Sequence, residues 1–543
     1  MNKNLPEKTE SQPMGKKNTR KSWYSSRRWS LPRIITQTLF LLLFFFLFLQ
    51  TESKGTDKLG YPVELFLEMD PLVALSTFLS GRSWPEHIGL CLLVIAITAV
   101  LGRVFCGWVC PLGTLHNMMG AIKKWKGPQR VRNWFHAKYL LLIFLLSGSL
   151  VGIQLTGVFD PISLLIRHLT IGVYPAFNYS ANGTMDFVYR TDVGLLTSAS
   201  DWIYDVLKKT VLAFQQPYFA QGALLSLLFL VILLLNLSER RFWCRYLCPL
   251  GALLGFLGRL APFKRKTSKD CNSCGLCDQK CQGGIKTEAW KASECLYCMS
   301  CGDECPKKAV AFGFYVKPAE ESVEIGRRNV LLAGGAGLAS VAVSRATPLF
   351  NPTRPNPNLI RPPGALPEPE FLARCVKCGA CMKVCTTNAL QPTFLEAGLE
   401  GLWSPVVVPR VGYCEFNCTL CGQVCPTGAI QLLTPAQKRE WRIGTAMFDL
   451  NRCLPHAHNT PCIVCEEVCP TPKKSIWFKE VLVQDRNGQE LLVQQPRVDL
   501  KNCTGCGICV TKCPLVDAPG VRITSIGETR SKKNQILLSN NYY

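Results

Sequence analysis

Two stretches of this chain, "GRVFCGWVCPLGTL" at residues 102–115 and "RRFWCRYLCPLGAL" at residues 240–253, carry the same pattern. Each follows an apolar run and places two cysteines four residues apart, directly before a Pro-Leu-Gly sequence. The cysteines are Cys106 and Cys110 in the first stretch, and Cys244 and Cys248 in the second. A single stretch of this kind arises by chance, but two in the same setting indicate an internal repeat.

The repeat extends beyond the cysteines. The stretches "MDPLVALSTFL" at 69–79 and "FDPISLLIRHL" at 159–169 place an Asp-Pro pair in the same part of each half. Each half therefore contains an apolar helix, an Asp-Pro element, a returning apolar helix and a Cys-x3-Cys-Pro element. The second half carries an insertion around residues 174–216. We predict two copies of one hairpin, related by approximate twofold symmetry.

Four apolar stretches have the composition of membrane helices: 34–50, 87–101, 139–158 and 220–237. Their lengths suit a hydrocarbon core of ~30 Å at ~1.5 Å per residue, although the second is short. The alternative is that they form the core of a soluble protein. The stretch "TLFLLLFFFLFLQ" at 38–50 is apolar on every face, whereas a helix at the edge of a soluble core has one polar face. The sequence predicts a four-helix membrane bundle.

The charge pattern sets the expected orientation. The chain has a formal net charge of +23, from 61 Lys and Arg against 38 Asp and Glu. The basic residues bracket the apolar runs and do not line one polar face with interleaved aromatic residues, so we expect no nucleic-acid partner. Basic segments precede the first helix and follow the second and fourth, while the other connectors are acid-rich. The positive-inside rule then places the N-terminus and both Cys-x3-Cys-Pro elements in the cytoplasm.

A fifth candidate helix lies at 326–346, "GRRNVLLAGGAGLASVAVSRA". Its short Gly- and Ala-rich apolar part follows Arg327 and Arg328, a pattern similar to a twin-arginine export signal. An interdomain helix on the cytoplasmic side is the alternative. The proline-rich residues 347–370 that follow predict an extended linker.

Twenty-four of the 29 cysteines form six further groups of four. Four of the groups have the spacing Cys-x2-Cys-x2-Cys-x3-Cys, and two depart from it only at the first cysteine, between Cys414 and Cys418 and between Cys453 and Cys462. This is the ligand run of bacterial ferredoxins, in which the fourth cysteine reaches a neighbouring cluster. Zinc needs only two short pairs, and cysteines two or three residues apart are poor disulfide partners. The spacing predicts six [4Fe-4S] clusters. The groups are Cys271, Cys274, Cys277 and Cys281; Cys295, Cys298, Cys301 and Cys305; Cys375, Cys378, Cys381 and Cys385; Cys414, Cys418, Cys421 and Cys425; Cys453, Cys462, Cys465 and Cys469; Cys503, Cys506, Cys509 and Cys513.

The spacing also predicts part of the pairing. The first two groups should exchange their last cysteines, so that Cys305 joins the first cluster and Cys281 the second. The last four groups pair either first with second and third with fourth, or first with fourth and second with third. The sequence leaves that choice open.

The role of the repeated cysteine pairs stays open among three interpretations. Residues four apart share one face of a helix, so each pair presents two sulfurs to one side, with the following proline ending or kinking the helix. If the two halves pack about their twofold, four sulfurs converge near the cytoplasmic interface. Cys106, Cys110, Cys244 and Cys248 then form a shared metal or cluster site, a pair of redox-active dithiols, or a structural motif that docks the ferredoxin domain. The unpaired Cys91 is expected to be a buried apolar residue.

The membrane half resembles the NapH family of ferredoxin-type membrane proteins. The resemblance rests on the four helices, on "CGWVCPLG" and "CRYLCPLG", and on the pair "CNSCGLCDQKC" and "CLYCMSCGDECP". The half after residue 326 resembles the NapG and MauM type, with a twin-arginine leader and four ferredoxin motifs. The resemblance implies a component of a quinol dehydrogenase that donates electrons to periplasmic reductases, with the two proteins joined in one chain.

From these observations we expect an α-helical membrane bundle combined with α+β bacterial-ferredoxin-like domains. The expected divisions are a basic cytoplasmic N-terminus (1–33), a membrane domain (34–262), a two-cluster ferredoxin domain (263–320), the signal or anchor helix (326–346), the linker (347–370) and a four-cluster domain (371–543). We expect a multi-pass protein of the bacterial inner membrane, with its first two clusters cytoplasmic and its last four periplasmic.

The expected function is electron transfer from the membrane quinone pool to a periplasmic reductase or cytochrome, with quinone as an additional cofactor. Assembly or reductive activation of a partner metalloenzyme is the alternative. A third hypothesis keeps all ferredoxin motifs cytoplasmic, with a soluble electron donor. One difficulty accompanies the leading hypothesis, because ~30 Å of hydrocarbon between the two sets of clusters is too wide for one tunnelling step. Either a quinone or a further cofactor must lie between them.

Overall fold

The computed structural model describes residues 29–52, 57–84, 89–122, 133–191, 194–285, 290–315, 325–345, 356–484 and 490–535. Several sequence features lie outside the described residues. These are most of the basic N-terminus, the basic connector at 123–132, the start of the second predicted helix at 87–88, and the first part of the predicted linker at 347–355.

The first half of the repeat consists of successive helices. A capping residue followed by proline recurs at the start of these helices. The Asp70 side chain caps a helix by accepting hydrogen bonds from the backbone N–H groups of Leu72 (2.8 Å) and Val73 (3.3 Å), and Pro71 is its first residue. Proline suits that position because its fixed φ is already helical and its missing N–H is not needed there. The helices of this half are Ser30–Gln50, Leu65–Glu68, Pro71–Gly81, Gly89–Leu101, Val104–Trp108 and Pro111–Ile122.

The prediction that each cysteine pair shares one helix is wrong. Cys106 lies on the five-residue helix Val104–Trp108, while Cys110 precedes a new helix that begins at Pro111. Cys248 likewise caps the helix Pro249–Gly258, with a ψ of 109° that is not helical. The reason is that proline disfavours a helical conformation in the residue before it. The proline therefore begins a helix and does not end one.

The second half repeats the same order of elements. Asp160 caps its helix through the backbone N–H groups of Ile162 (3.1 Å) and Ser163 (2.8 Å). The insertion forms two helices, which follow a single π-helical turn at Leu169–Val173. The helices of this half are Asn133–His136, Ala137–Leu150, Thr156–Phe159, Pro161–His168, Tyr174–Thr191, Gly194–Thr210, Gly222–Leu234, Leu235–Leu237, Phe242–Tyr246 and Pro249–Gly258.

Only Ser30–Gln50, among the described residues, is both long and apolar enough to cross a membrane by itself. The other apolar helices of the two halves have 10 to 17 residues. The predicted third stretch, 139–158, is interrupted, because its helix ends at Leu150 and a left-handed Gly152 (φ 84°) follows. Helix length and composition therefore do not confirm the predicted four-helix membrane bundle among the described residues.

The glycine-rich segment forms the helix Arg327–Arg345, which packs alongside Ala137–Leu150. Gly337 lies so close to the Phe144 carbonyl and the Ser147 hydroxyl that a Cβ atom at this position would collide with both. Further along, Ser340 lies beside Gly148. Both helices advance in the same direction through these contacts, so they run parallel. Small residues at the interface permit this close approach of two backbones.

The described part of the first ferredoxin domain, within residues 263–315, contains three short helices and one antiparallel sheet. Its strands are Phe263–Thr267 and Val310–Phe314, paired from Phe263 opposite Phe314 to Thr267 opposite Val310. The strands bracket the cysteine motifs, so the sheet closes the domain. Its helices are Leu276–Lys280, Ala292–Glu294 and Ser300–Asp303.

The second ferredoxin domain occupies residues 356–535 and contains three two-stranded antiparallel sheets. One of them, Ile476–Gln484 with Glu490–Val498, is a long hairpin. The other pairs are Leu390–Pro392 with Pro405–Val407, and Thr445–Phe448 with Val521–Thr524. The helices are Glu368–Arg374, Ala380–Lys383, Leu420–Gln423, Pro435–Glu440, Leu454–Ala457, Val464–Glu467 and Ile508–Thr511.

The linker prediction is wrong for residues 356–370. Leu359, Ile360 and Arg361 are buried, and the Arg361 guanidinium donates hydrogen bonds to the Ser404 hydroxyl (2.9 Å) and the Pro405 carbonyl (2.7 Å). Proline content obscured this, since prolines exclude regular structure but not packing. This segment belongs to the second ferredoxin domain.

The two ferredoxin domains dock at opposite ends of the helical domain. The helix Ser30–Gln50 shows this directly, because Arg33 near its start donates a hydrogen bond to the Cys298 carbonyl (3.0 Å), and Glu52 just after its end pairs with Lys383 (3.6 Å). At 1.5 Å per residue, its 21 residues span about 30 Å. We call these the Cys-Pro end, which holds the first ferredoxin domain, and the Asp-Pro end, which holds the second.

Candidate iron–sulfur centres

The ferredoxin motifs share a local turn that explains how the second and third cysteines face one cluster. In four motifs the residue after the second cysteine is left-handed and begins a short helix that carries the third. Three of these residues are glycines, Gly275 (φ 72°), Gly379 (φ 83°) and Gly507 (φ 87°), and the fourth is Met299 (φ 55°). Glycine tolerates this conformation best. The two motifs with unusual spacing lack the turn, since Thr419 and Ile463 have φ of −120° and −116°.

In the first ferredoxin domain the fourth cysteines are exchanged, in agreement with the predicted pairing. Cys305 lines a small cavity together with Cys271, Cys274 and Cys277. Cys281 instead lies within electrostatic range of Cys295, Cys298 and Cys301. We name these groups the Cys271 site and the Cys295 site.

The second ferredoxin domain settles the pairing that the sequence left open. Cys425 interacts with Cys375, Cys378 and Cys381, and Cys385 interacts with Cys414, Cys418 and Cys421. Cys513 likewise joins Cys453, Cys462 and Cys465, while Cys469 lines one cavity with Cys503, Cys506 and Cys509. Neighbouring motifs thus exchange ligands, giving the Cys375, Cys414, Cys453 and Cys503 sites.

The four sites of the second domain are connected in a fixed order. Ligand exchange joins the Cys375 site to the Cys414 site and the Cys503 site to the Cys453 site. A backbone hydrogen bond from the Cys414 N–H to the Cys506 carbonyl (2.8 Å) connects the two pairs. The order is therefore Cys375, Cys414, Cys503 and Cys453. Within the described residues, no group of three or more His, Cys, Asp or Glu side chains stands as a ready-made cage for a single metal ion, so the cluster assignment rests on spacing and grouping.

The first site in this order lies against the Asp-Pro end. The Arg167 guanidinium donates hydrogen bonds to the Gly157 and Lys377 carbonyls, both at 3.0 Å, and interacts with the Cys375 and Cys378 sulfurs. Lys377, between two ligands, donates a hydrogen bond to the Gln154 carbonyl. Both cations are fully buried, so the docking surface holds positive charge directly beside the cluster site.

Asp70 and Asp160 meet beneath this surface. Both carboxyl groups are completely buried, and they lie within hydrogen-bonding range of each other. Burial, together with the neighbouring carboxyl group, raises the pKa of Asp70 well above its ordinary value. Two such carboxyl groups are stable together when they share one proton. The repeated Asp-Pro pair therefore forms one joint acidic site between the two halves.

The repeated cysteines of the two halves also meet. Each of Cys106, Cys110, Cys244 and Cys248 interacts electrostatically with the other three, and three of them are buried. Backbone N–H groups point at two of the sulfurs, with Gly113 donating to Cys110 (3.4 Å) and Gly251 to Cys248 (3.2 Å). The predicted convergence of four sulfurs is what the structure shows.

Two buried arginines flank these sulfurs, and they were missed from the sequence. Arg241 donates a hydrogen bond to the Cys106 carbonyl (3.1 Å) of the other half, and Arg103 interacts with both Cys106 and Cys248. Each is only 1% exposed. The signal was present, because each arginine precedes the first cysteine of its pair by three residues in both repeats.

The Cys-Pro end also holds the first ferredoxin domain through a buried ion pair. Glu294, next to Cys295, pairs with the fully buried Lys138, accepts a hydrogen bond from the Tyr139 hydroxyl (2.8 Å) and lies 3.7 Å from Arg103. Gly107 packs directly on the Leu296 backbone, where a Cβ would collide with the carbonyl. The Cys295 site thus lies next to the four converged sulfurs.

These sites define a protein that carries several iron–sulfur clusters, with grouped cysteines of ferredoxin type at both ends of a helical domain. A family model described as a 4Fe-4S binding domain matches residues 87–129 and again 220–268, which supports the repeat. A second model with the same description matches residues 372–391. No solved structure matches the chain.

Curated proteins similar to the chain are also of ferredoxin type. The methylamine utilization ferredoxin-type protein MauM of Methylophilus methylotrophus is 34% identical over 30% of this chain and 69% of its own length. The ferredoxin-type protein NapG of Escherichia coli is 33% identical over 36% of this chain and 82% of its own length. The putative electron transport protein YccM of E. coli is 28% identical over 45% of this chain and 60% of its own length. The chain belongs to the ferredoxin-type family of MauM and NapG, whose role is electron transfer.

Proposed function

We propose that the chain is a membrane-bound electron carrier that takes electrons from the quinol pool and passes them to an acceptor on the outer side. In this proposal a NapH-type membrane protein is joined to a NapG- or MauM-type polyferredoxin, and the chain holds six [4Fe-4S] clusters in its ferredoxin motifs. The observation that carries the proposal is the docking of the two ferredoxin domains at opposite ends of a helix about 30 Å long.

The surface of the helical domain supports a membrane location. Apolar side chains on three different helices point outward, with Leu39 61%, Leu92 53% and Leu227 58% exposed. Exposed apolar surface of this extent marks an interaction surface in a soluble protein or contact with lipid. In this proposal, lipid around the helical domain covers the exposed apolar side chains. The helix Arg327–Arg345 then crosses the membrane beside Ala137–Leu150 and joins the domains on the two sides.

A cavity of 440 Å³ at the Cys-Pro end is the candidate quinol site. It is lined by Ile34, His116, Asn117 and Arg241, among others, and its volume falls in the range of ~300–1,000 Å³ found for small-molecule sites. His116 is fully buried, and its Nε2 has no hydrogen-bond partner among the described residues. An unpaired ring nitrogen in a cavity can bind a quinol hydroxyl group.

The proposal is tested with the full chain, purified anaerobically and reconstituted in liposomes. Added menaquinol should bleach the visible absorbance of the clusters, and His116→Ala should slow the bleaching. His168→Ala is the matched control, because His168 is also buried but its Nδ1 faces the Leu164 carbonyl (2.7 Å) at the Asp-Pro end. Clusters that dithionite reduces and menaquinol does not would contradict quinol oxidation. A reporter fused after Tyr543 that is active only in the cytoplasm would contradict the topology.

A further inference from the structure

The four converged sulfurs have features that a docking motif does not require. A docking motif needs surface complementarity, which the contact of Gly107 with Leu296 and the ion pair of Glu294 with Lys138 already provide. Neither contact uses a cysteine side chain. The sulfurs instead face one another between the two halves, and each half contributes two of them.

The charges around the sulfurs point to an anionic occupant. Arg103, Arg241 and Lys138 all interact with these sulfurs, and Glu294 is the carboxylate that faces the group. Three cations and one carboxylate leave two positive charges in a buried place. In Arg241 the Nε and Nη2 atoms have no hydrogen-bond partner among the described residues, and the same holds for Nε of Arg103. Buried, unpaired guanidinium groups are costly unless an anion compensates them.

An iron–sulfur centre supplies the missing charge. Four thiolates around an oxidised core with two positive charges leave two negative charges, which match the two uncompensated cations. Four neutral thiols or two disulfides carry no charge and would leave both arginines unbalanced. The backbone N–H groups of Gly113 and Gly251 already point at two sulfurs, as N–H groups do toward cluster ligands.

We infer that Cys106, Cys110, Cys244 and Cys248 jointly hold one iron–sulfur centre, shared by both repeats and balanced by Arg103 and Arg241. Each half supplies one pair of thiolates, so the centre lies between the two halves. Leu296 and Gly107 are in contact, and each is next to a ligand, which brings the Cys295 site into the immediate neighbourhood of this centre. In transfer, the reduced Cys295 cluster loses one electron and the centre gains it, one ferric ion becoming ferrous.

The existence of this centre does not depend on the proposed function. Its role in passing electrons toward the second ferredoxin domain does rest on that function. The test therefore uses dithionite and no quinol. The full chain, purified anaerobically, is compared with Cys106→Ser/Cys244→Ser and with Cys91→Ser, a buried cysteine outside the group. We expect the double variant to lose the iron and sulfide of one centre per chain, in equal numbers, together with one electron paramagnetic resonance signal. Cys91→Ser should lose none.

Several results would overturn the inference. Unchanged iron and sulfide in a folded double variant would do so, as would zinc in place of iron. A disulfide involving Cys110 or Cys248 in the anaerobic wild type, found by mass spectrometry after free thiols are blocked, would do so too. If the double variant does not fold, Arg241→Gln keeps all four ligands. It should lower the midpoint potential of one signal only, because a positive charge near the centre is lost, and Arg241→Lys should largely restore it. No selective change in potential would count against the shared centre.

Discussion

The half-buried carboxylate Glu368 gives the sharpest prediction for the stability of the second ferredoxin domain. It pairs with Arg361 (2.6 Å) and Arg530 (2.7 Å), and its side chain is 17% exposed. Although burial by itself raises its pKa, the two guanidinium groups outweigh it and lower the pKa from 4.5 to about 2. At 1.36 kcal/mol per unit, this shift corresponds to about 3 kcal/mol of native-state stability at neutral pH.

Replacing Glu368 by Gln removes this contribution and leaves two buried guanidinium groups without their carboxylate. We expect backbone amides of residues 359–374 to exchange with deuterium about a hundredfold faster at pH 7, since each 1.4 kcal/mol in opening free energy is about tenfold. Hydrogen exchange with mass spectrometry on the full, cluster-loaded chain measures this. Glu370→Gln is the matched control, because Glu370 lies on the same helix but is exposed.

The pH dependence provides the refutation. A carboxyl group with a lowered folded-state pKa contributes fully above its unfolded pKa of 4.5, and the contribution disappears as pH falls from 4.5 toward 2. The difference between wild type and Glu368→Gln should therefore be constant from pH 8 to about pH 5 and then shrink. Less than a fivefold difference at pH 7, or an equal effect of Glu370→Gln, would show that the ion pairs do not stabilise this segment.

Three further predictions concern the helical domain. Glu294→Gln, which leaves Lys138 buried without its partner, should cost about 3–5 kcal/mol of docking and speed hydrogen exchange at 290–298, while the exposed Glu304→Gln should not. Gly337→Leu should separate the helix Arg327–Arg345 from Ala137–Leu150 and lower the melting temperature. Gly335→Leu should not, because a side chain at that position meets open space. Equal melting temperatures of the two variants would refute the packing of these helices. Because the pKa of Asp70 is raised, the stability of the wild type should fall as pH rises above about 4. The Asp70→Asn variant keeps the helix cap and should show a smaller fall in stability with pH. Parallel stability profiles of the two proteins against pH would contradict this prediction.

The repeat and the ferredoxin motifs were predictable because both depend on short-range rules. Proline fixes where a helix begins, so the sequence correctly located element boundaries at Asp70 and at Cys110. At Cys110, however, the sequence suggested the end of a helix, whereas a helix begins at the proline that follows. The exchange of Cys281 and Cys305 followed from the geometry of a cubane cluster, which three closely spaced thiolates cannot complete.

What the sequence left open depends on contacts between distant segments. The spacing of the last four motifs is the same whichever pairs form, so only packing places Cys425 beside Cys375. The roles of Arg103 and Arg241 follow from the packing of the two halves, which brings each arginine to the cysteines of the other half. The buried segment at 356–367 escaped prediction because its prolines suggested an extended chain, whereas Arg361 binds it to the domain.

In the proposed function, buried cations at both ends of the helical domain favour the reduction of the clusters docked there. Each electron that enters a cluster adds a negative charge in a place with little water, which is unfavourable unless positive charge is nearby. Arg103 at the Cys-Pro end and Arg167 at the Asp-Pro end supply it, and each also contacts a docked ferredoxin domain, through the carbonyls of Ser293 (2.9 Å) and Lys377 (3.0 Å). The arginines that hold the ferredoxin domains in place are therefore also the groups that favour reduction of the clusters in those domains. A domain that is displaced from the bundle loses both its contact and its positive neighbour, so electron transfer into that cluster depends on docking.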